Sequence, residues 1–356
     1  MTGEAGGGAA EAPLFTVLLP THNRADVLPL AIGSALAQTL DDFELFVVGD
    51  GCTDGTAEVV GRVRDPRIRW FDFPKAPGFG YAHRNRVLRE ARGLHVAFLA
   101  HDDLWLPDHL ERLCRRLEEM GADLAYSRPL WVLRDGTVAP GIFPLGDART
   151  RSAFLRRERN EIPASCVVHR RGCLERFGGW NETLERNGDW DLWARFLEGG
   201  AVAAFEPEPT CLHFVAAWRR DSEIGPPSLE TWRRLHATPG ALPEALRVPI
   251  AEGSTEQEAF WGRLGSDPAG WTLKLRDAVV AALDARLAEQ NMLGPDFPEG
   301  SLAARLLALL TASVHGARRL RAESVPPGSL REKVWGTLFA WARRVTGGAA
   351  RPRGGG

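Results

Sequence analysis

The sequence predicts an α/β fold: a mostly parallel, doubly wound sheet with flanking helices, followed by a helical C-terminal extension. Three observations predict it. Up to about residue 120, short apolar runs alternate with segments of helical periodicity, the pattern of βαβ units. Polar clusters follow the first, second and fourth of these runs, at the strand ends where such sheets bind ligands. Beyond Gly225-Pro226-Pro227 the chain turns to Leu, Ala and Arg with Pro and Gly punctuation.

The elements follow in order. Residues 1–12 are Gly- and Ala-rich without large apolar side chains, so they read as a disordered leader that cannot offset its ordering entropy. Leu14–Leu19 is a buried-strand run that Pro20 ends. Asp26–Gln38 carries Val27, Leu30, Ala31 and Ala35 at helical spacing. A second strand, Phe43–Val48, leads through a Gly-rich turn into a helix over Thr56–Val63. Ile68–Phe71 is the third strand, Tyr81–Ala91 a helix, His95–Ala100 the fourth strand and Pro107–Met120 the helix after it. From about residue 122 the pattern is irregular, with a hairpin over Leu130–Val138 around Asp135-Gly136, a strand at Cys166–His169 and a helix at Asp189–Leu197. Helices are expected over Ala278–Gln290, Leu302–Arg321 and Leu330–Val345. The domain reading is therefore a leader (1–12), an α/β domain (13–224), a helical extension (225–346) and a disordered tail (347–356).

Composition bounds the function. A 44% hydrophobic and 25% charged fraction is enough for a real core, and a net charge of −2 excludes nucleic-acid binding through bulk positive charge. That charge is the sum of about −10 over residues 1–300 and +8 over 301–356. The five cysteines are odd in number and lack C-x-x-C spacing, which argues against a disulfide framework or a zinc knuckle. With neither a signal-peptide pattern nor an apolar run of membrane-spanning length, the expected location is cytoplasmic.

Four clusters could carry chemistry. Pro20-Thr21-His22-Asn23-Arg24 offers a hydroxyl, an amide and a guanidinium to a base or phosphate, or serves as a loop that caps the next helix. In Gly49-Asp50-Gly51-Cys52-Thr53-Asp54-Gly55-Thr56, Asp50 emerges at a strand end where it can accept from a ring N–H. Asp54 and Thr56 there suit helix capping. Asp102 and Asp103, after Ala100-His101, repel each other unless a cation lies between them; a solvated capping pair is the alternative. In Gly188-Asp189-Trp190-Asp191-Leu192-Trp193-Ala194-Arg195, the spacing pairs Asp191 with Arg195, and Trp190 and Trp193 read as core side chains, with a sugar platform as the alternative. Asp189 is left free at the helix start as a general base.

In this order and spacing the clusters resemble the family 2 glycosyltransferases of the GT-A fold, from Phe15 to about Phe214. FTVLLPTHNR looks like the family's first strand and nucleotide loop, and FELFVVGDGCTDGT like its second strand and turn. YAHRNRVLREARGLHVAFLAHDDLWLPDHL is similar to the segment that ends in the metal motif, and FGGWNETLERNGDWDLWAR to the acceptor-side segment. The resemblance implies an inverting transfer of a sugar from a nucleotide diphosphate, UDP- or dTDP-linked, to a hydroxyl of a glycan, a lipid-linked saccharide or a small acceptor. Carried over by position, Pro20, Thr21, Asn23 and Arg24 lie in the base loop, Asp50 contacts a uracil-type base, and Arg84 and Asn85 flank the donor. Asp102 touches ribose, Asp103 ligates Mg²⁺ or Mn²⁺, and Asp189 is the base. His213 is either a further metal ligand or a core or loop histidine. Three acids of the family pattern are absent, at Gly49, Ala100 and Gly188, which motivates a second reading as a nucleotide-sugar-binding module without catalysis. Outside the resemblance, Leu330, Val334, Leu338, Trp341, Ala342 and Val345 share one helical face beside Arg and Lys. That face suits packing on a protein surface or peripheral adsorption to anionic lipid.

Overall fold

A computed structural model describes residues 12–215, 228–238, 240 and 242–292. The leader through residue 11, the expected helices Leu302–Arg321 and Leu330–Val345 and the tail lie outside the described residues, as does 216–227, which holds the end of the expected α/β domain and the start of the extension.

The first half alternates as expected: β1 (Phe15–Thr21), α1 (Leu28–Leu36), β2 (Phe43–Asp50), α2 (Thr56–Arg62), β3 (Ile68–Phe73), α3 (Tyr81–Leu88) and β4 (His95–Phe98). β1 pairs in parallel with β2 on one side and β4 on the other, and β2 pairs in parallel with β3. Every residue of β2 is buried and β1 is nearly so, which explains why both read as continuous apolar runs. One boundary differs from expectation. β1 runs through Pro20 to Thr21, because its pairing with β4 stops at Leu18 and a residue without an N–H is tolerated where one neighbour has ended.

A short β5 (Leu104–Trp105) and α4 (His109–Glu119) precede a strand that the sequence left irregular, β6 (Leu124–Val132). The expected hairpin forms between β6 and β7 (Val138–Pro140), with Gly136 turned to a φ of 77°. Then come α5 (Ala148–Leu155), β8 (Val167–Arg170), α6 (Gly172–Phe177), α7 (Gly188–Glu198) and β9 (Ala203–Phe214). The sheet order is β3-β2-β1-β4-β8-β6-β9-β5, with β7 on the side of β6. β8 is antiparallel to both β4 and β6, while β6 and β9 are parallel. The sheet is thus parallel over its first four strands and mixed beyond them.

The β6–β9 register shifts around Arg128, opposite the stretch that holds Pro207 and Pro209. Proline cannot donate to the ladder, and the buried Arg128 guanidinium donates instead to the carbonyls of Pro207 (2.9 Å) and Gly141 (2.8 Å). Past this irregularity β9 resumes pairing and sets His213 opposite Trp131.

The described part of the extension is helical: α8 (Ser228–Ala237), α9 (Glu256–Ser266) and α10 (Pro268–Met292). Trp232, Phe260, Leu264, Leu275, Val279 and Leu283 form an apolar cluster with Leu104, Leu130, Val132, Leu212 and Phe214 of the sheet. α9 begins with a reciprocal Thr255–Glu258 capping box. Its Trp261 ring packs against α1 at Gly33, where a Cβ would approach it to 3.0 Å. Among the described residues, no helix is long and apolar enough to cross a membrane.

Candidate functional site

The carboxyl ends of β1, β2 and β4 open on a cleft of about 400 Å³. Pro20, Thr21, Asn23, Arg24, Asp50 and Arg84 line it, as the sequence expects; Lys75, Phe79 and His101 also line it and were not foreseen. Thr21 is buried, and its hydroxyl has no hydrogen-bond partner among the described residues. Asn23 (φ 51°) joins the two loops, its Oδ1 accepting the Thr53 N–H at 2.7 Å. The Arg24 guanidinium pairs with Asp26 at 3.1 Å, and the Arg24 N–H donates to the Thr56 hydroxyl. Asp54 accepts from the Thr56 N–H, as a capping residue should.

Asp50 is buried at the end of β2. Its Oδ2 meets Lys75 Nζ at 2.5 Å and its Oδ1 accepts the Ala76 N–H at 2.7 Å. Lys75 belongs to the loop between β3 and α3, which turns at Gly78 and Gly80, both with left-handed φ. A Cβ on Gly80 would lie 3.0 Å from the Asp50 carboxylate, so the loop closes against Asp50 only as glycine.

Arg84 and Asn85 are neighbours on α3 that face different ways. The Arg84 guanidinium is buried over Tyr81, Phe98 and Trp180, 4.7–5.2 Å from their ring centroids. Burial draws its pKa down to about 10, against the charges of Tyr81, Asp189 and Asp50. Asn85 instead exchanges hydrogen bonds with the Trp180 backbone (both 2.8 Å) and donates to Glu182, so both ends of its amide serve to hold that loop.

Asp102 and Asp103 also diverge. Asp103 is fully buried. It accepts from Ser165 Oγ at 2.5 Å, His213 Nδ1 at 2.9 Å and the Phe214 N–H at 3.2 Å. Ser165 Oγ in turn accepts the Ala100 N–H, tying the segment before the pair to the turn that leads into β8. The Asp102 side chain has no hydrogen-bond or ion-pair partner among the described residues, while its carbonyl accepts from Gln257 Nε2 of α9 at 3.4 Å. Facing a carboxylate, Nδ1 of His213 carries the proton, which leaves Nε2 as the ring's other functional atom. Burial disfavours the His213 imidazolium, but the charge and hydrogen bond of Asp103, with Asp102 and Asp189, outweigh it and raise its pKa.

Asp189 lies in the first turn of α7. Burial raises its carboxyl pKa, opposed by the Trp190 N–H and by the charges of Arg84 and His213. Asp191 pairs with Arg195 at 2.8 Å, Trp193 is buried, and Trp190 donates from its indole to the Phe154 carbonyl, all structural as expected.

Two of the three missing acids have a steric reason. A Cβ on Gly49 would stand 2.4 Å from the Trp70 ring, and one on Gly188 would stand 2.5 Å from the Tyr81 ring. Of the residues the sequence did not single out, His101 lay inside the metal motif and Lys75 in the segment before the Arg-Asn pair. Ser165 and Gln257 carried no local signal.

Known proteins resemble this chain over its first half. Residues 16–173 match the family model described as glycosyl transferase family 2. The chain is 29% identical over 203 residues to an uncharacterized glycosyltransferase of Rickettsia felis, covering 52% of this chain and 31% of that protein. It is 31% identical over 215 residues to the succinoglycan biosynthesis protein ExoO of Rhizobium meliloti, covering 58% and 62% respectively. The chain therefore spans less than two thirds of the length of either relative. It is 26% identical over 192 residues to the Escherichia coli UDP-Glc:alpha-D-GlcNAc-diphosphoundecaprenol beta-1,3-glucosyltransferase WfaP, covering 53% of this chain and 72% of WfaP. Among solved structures, S. aureus TarS 1–349 in complex with UDP-GlcNAc aligns with a TM-score of 0.49 at 18% identity, covering 86% of this chain and 87% of that one. Over residues 16–173 the chain thus matches the glycosyl transferase family 2 model, and the relatives it resembles are named glycosyltransferases or polysaccharide biosynthesis proteins.

Proposed function

We propose that the protein is a metal-dependent, inverting glycosyltransferase acting in the cytoplasm. It moves a sugar from a UDP- or dTDP-sugar to a hydroxyl of a glycan or lipid-linked saccharide, with residues 13–224 as the transferase domain. The observation that carries the reading is the convergence of a buried acceptor (Asp50) and a half-buried carboxyl of raised pKa (Asp189) on the buried Arg84 guanidinium at the cleft. A uracil or thymine imide presents an N–H between two carbonyls. Asp50 would accept the N–H and Lys75 would donate to one flanking carbonyl, an edge that adenine and cytosine do not offer.

The chain's residues fit a divalent ion, with one change of assignment. Asp103 is saturated by three protein donors, so we assign the ion to Asp102 and to Nε2 of His213. Asp103 then fixes the imidazole through Nδ1, the usual support for a metal-binding histidine. With two ligands from the chain, Mg²⁺ or Mn²⁺ would take its remaining ligands from a diphosphate and water. When bound, such an ion supplies charge neutralisation for the leaving diphosphate. The chain contributes the Arg84 guanidinium beside the donor and the Asp189 carboxylate to take the proton from the attacking hydroxyl.

The test is turnover and calorimetric binding across a panel of nucleotide sugars, with and without Mn²⁺ and glycan acceptors. Asp189→Asn is expected to bind UDP as the wild type does and to lose turnover about 10²–10⁴-fold, the usual worth of a general base. Asp102→Asn is expected to lose metal-dependent UDP binding. Wild-type turnover in Asp189→Asn refutes the base assignment. The absent acids at Gly49, Ala100 and Gly188 favour the second reading, a binding module, whose signature is donor binding without turnover across the panel.

A further inference from the structure

α7 presents Asp189, yet its N-cap position supplies no side-chain cap. Its N-cap residue, Asn187, sits at a left-handed φ of 57° and makes no side-chain capping bond. The first N–H groups of a helix need an acceptor, and burying them without one is costly. Here the acceptor comes from α3: the Tyr81 hydroxyl takes the Gly188 N–H at 2.9 Å.

The ring that delivers this hydroxyl is itself fixed. Tyr81 is buried, stacks on Trp180 at 5.5 Å with 9° between planes, and bears the Arg84 guanidinium 4.8 Å from its centroid. Glycine at 188 is what lets the ring approach, since a Cβ there would meet three ring carbons at 2.5–2.9 Å. The residue next to Asp189 has therefore given up its side chain to a phenol from a helix 107 residues earlier. Arg84, three residues after Tyr81, lines the cleft and interacts with Asp189 electrostatically. The same aromatic group thus fixes both the cationic wall of the cleft and the start of the helix that carries the carboxylate.

We propose that Tyr81 is a positioning residue for Asp189: its hydroxyl anchors the first turn of α7 through Gly188, holding the carboxylate aligned with the donor side of the cleft. This rests on the reading of Asp189 as the base, so the test has one arm that does not depend on activity.

The first arm is amide hydrogen exchange of the full chain. Tyr81→Phe removes only the hydroxyl and keeps the stacked ring. It is expected to speed exchange at Gly188 about tenfold, with the core strands β1 and β2 unchanged. Unchanged exchange at Gly188 overturns the anchor. The second arm uses the nucleotide sugar of the panel with the fastest wild-type turnover. Tyr81→Phe is expected to lower kcat about tenfold while donor KM and UDP affinity stay within twofold, because the donor side keeps Arg84 and the aromatic stack. Equal loss in KM and kcat, or an unchanged kcat, overturns the positioning role. Gly188→Ala, whose methyl pushes the ring away, is expected to behave like Tyr81→Phe. Tyr81→Ala combined with Gly188→Ala relieves that clash, so it should be no slower than Tyr81→Ala alone; independent, multiplying losses would also overturn the proposal. If Asp189→Asn turns over at the wild-type rate, the base reading fails and the positioning role fails with it. The exchange arm then reports on the Tyr81–Gly188 anchor alone.

Discussion

Asp102 and Asp103 are adjacent, chemically identical and oppositely placed. One carboxylate faces three donors in the interior and the other has none among the described residues. Asp103→Ala would strand the Ser165 hydroxyl, the His213 ring N–H and the Phe214 N–H, and each unsatisfied buried donor costs about 1–3 kcal/mol. We expect a loss of at least about 2 kcal/mol in urea unfolding for Asp103→Ala and a change within about 0.5 kcal/mol for Asp102→Ala. The reverse order in the two denaturation curves would sink the division of labour between them. Asp189 makes a prediction of a different kind. A base works only when deprotonated, and burial raises this carboxyl above the ordinary aspartate value. The turnover rate should therefore fall on the acid side with a limb above pH 3.8, and that limb should be missing in the residual activity of Asp189→Asn.

At the scale of elements, β2 and β3 are fitted to each other through a single absent side chain. Gly49 lies within β2, and the Trp70 ring of β3 occupies the space its Cβ would need. Gly49→Ala should cost about 1–3 kcal/mol by overpacking. Combined with Trp70→Leu it should cost clearly less than the sum of the single changes, since contacting residues do not add. Strict additivity in equilibrium unfolding would show that the ring does not set the constraint. The loss of this acid is thus accommodated by local packing. Asp50, one residue on, keeps its place and gains Lys75 as a partner. The same pattern recurs between α3 and α7 with Tyr81 and Gly188.

At the scale of the whole molecule, three buried histidines among the described residues, His95, His109 and His169, have their pKa lowered by burial, and the last two link fold to pH over the widest range. His109 stacks on Trp105 and lies 2.7 Å from the Thr210 hydroxyl, and burial pushes its pKa down to about 3. His169 is pushed down to about 4 by burial, despite the Arg170 carbonyl nearby. In the unfolded chain both take up a proton near pH 6.5, and in the native state neither does until far lower. Stability present above pH 6.5 is therefore lost as pH falls from there toward 4, by up to about 1.4 kcal/mol per pH unit for each. Asp108 adds nothing in that window. Burial opposes its charge, but Arg276 and Arg112 hold its pKa near 2, so its contribution is lost only below the ordinary carboxylate range. Urea midpoints between pH 7 and 5 measure the slope. His109→Gln should flatten it, and an unchanged slope in that variant would exclude His109 as a source.

The sequence by itself determined the alternation of β1 to β4 with their helices and the carboxyl-end position of the polar clusters. It also determined the Asp191–Arg195 pair and the family resemblance. All of these are written in residues a few positions apart, where side-chain period and turn chemistry act locally. It misjudged β6, because Arg128 and Pro129 interrupt the apolar pattern of a strand whose irregularity is repaired from Pro207 and Gly141. Only the tertiary structure decided which of two adjacent aspartates lacks a partner among the described residues, that Arg84 and not Asn85 faces the cleft, and why glycines stand at 49 and 188. It alone joined Gln257 to Asp102 across 155 residues and Tyr81 to Gly188 across 107. Such contacts have no period and no spacing; they exist only once the sheet has brought distant segments within the 3–4 Å over which a hydrogen bond or a steric clash acts.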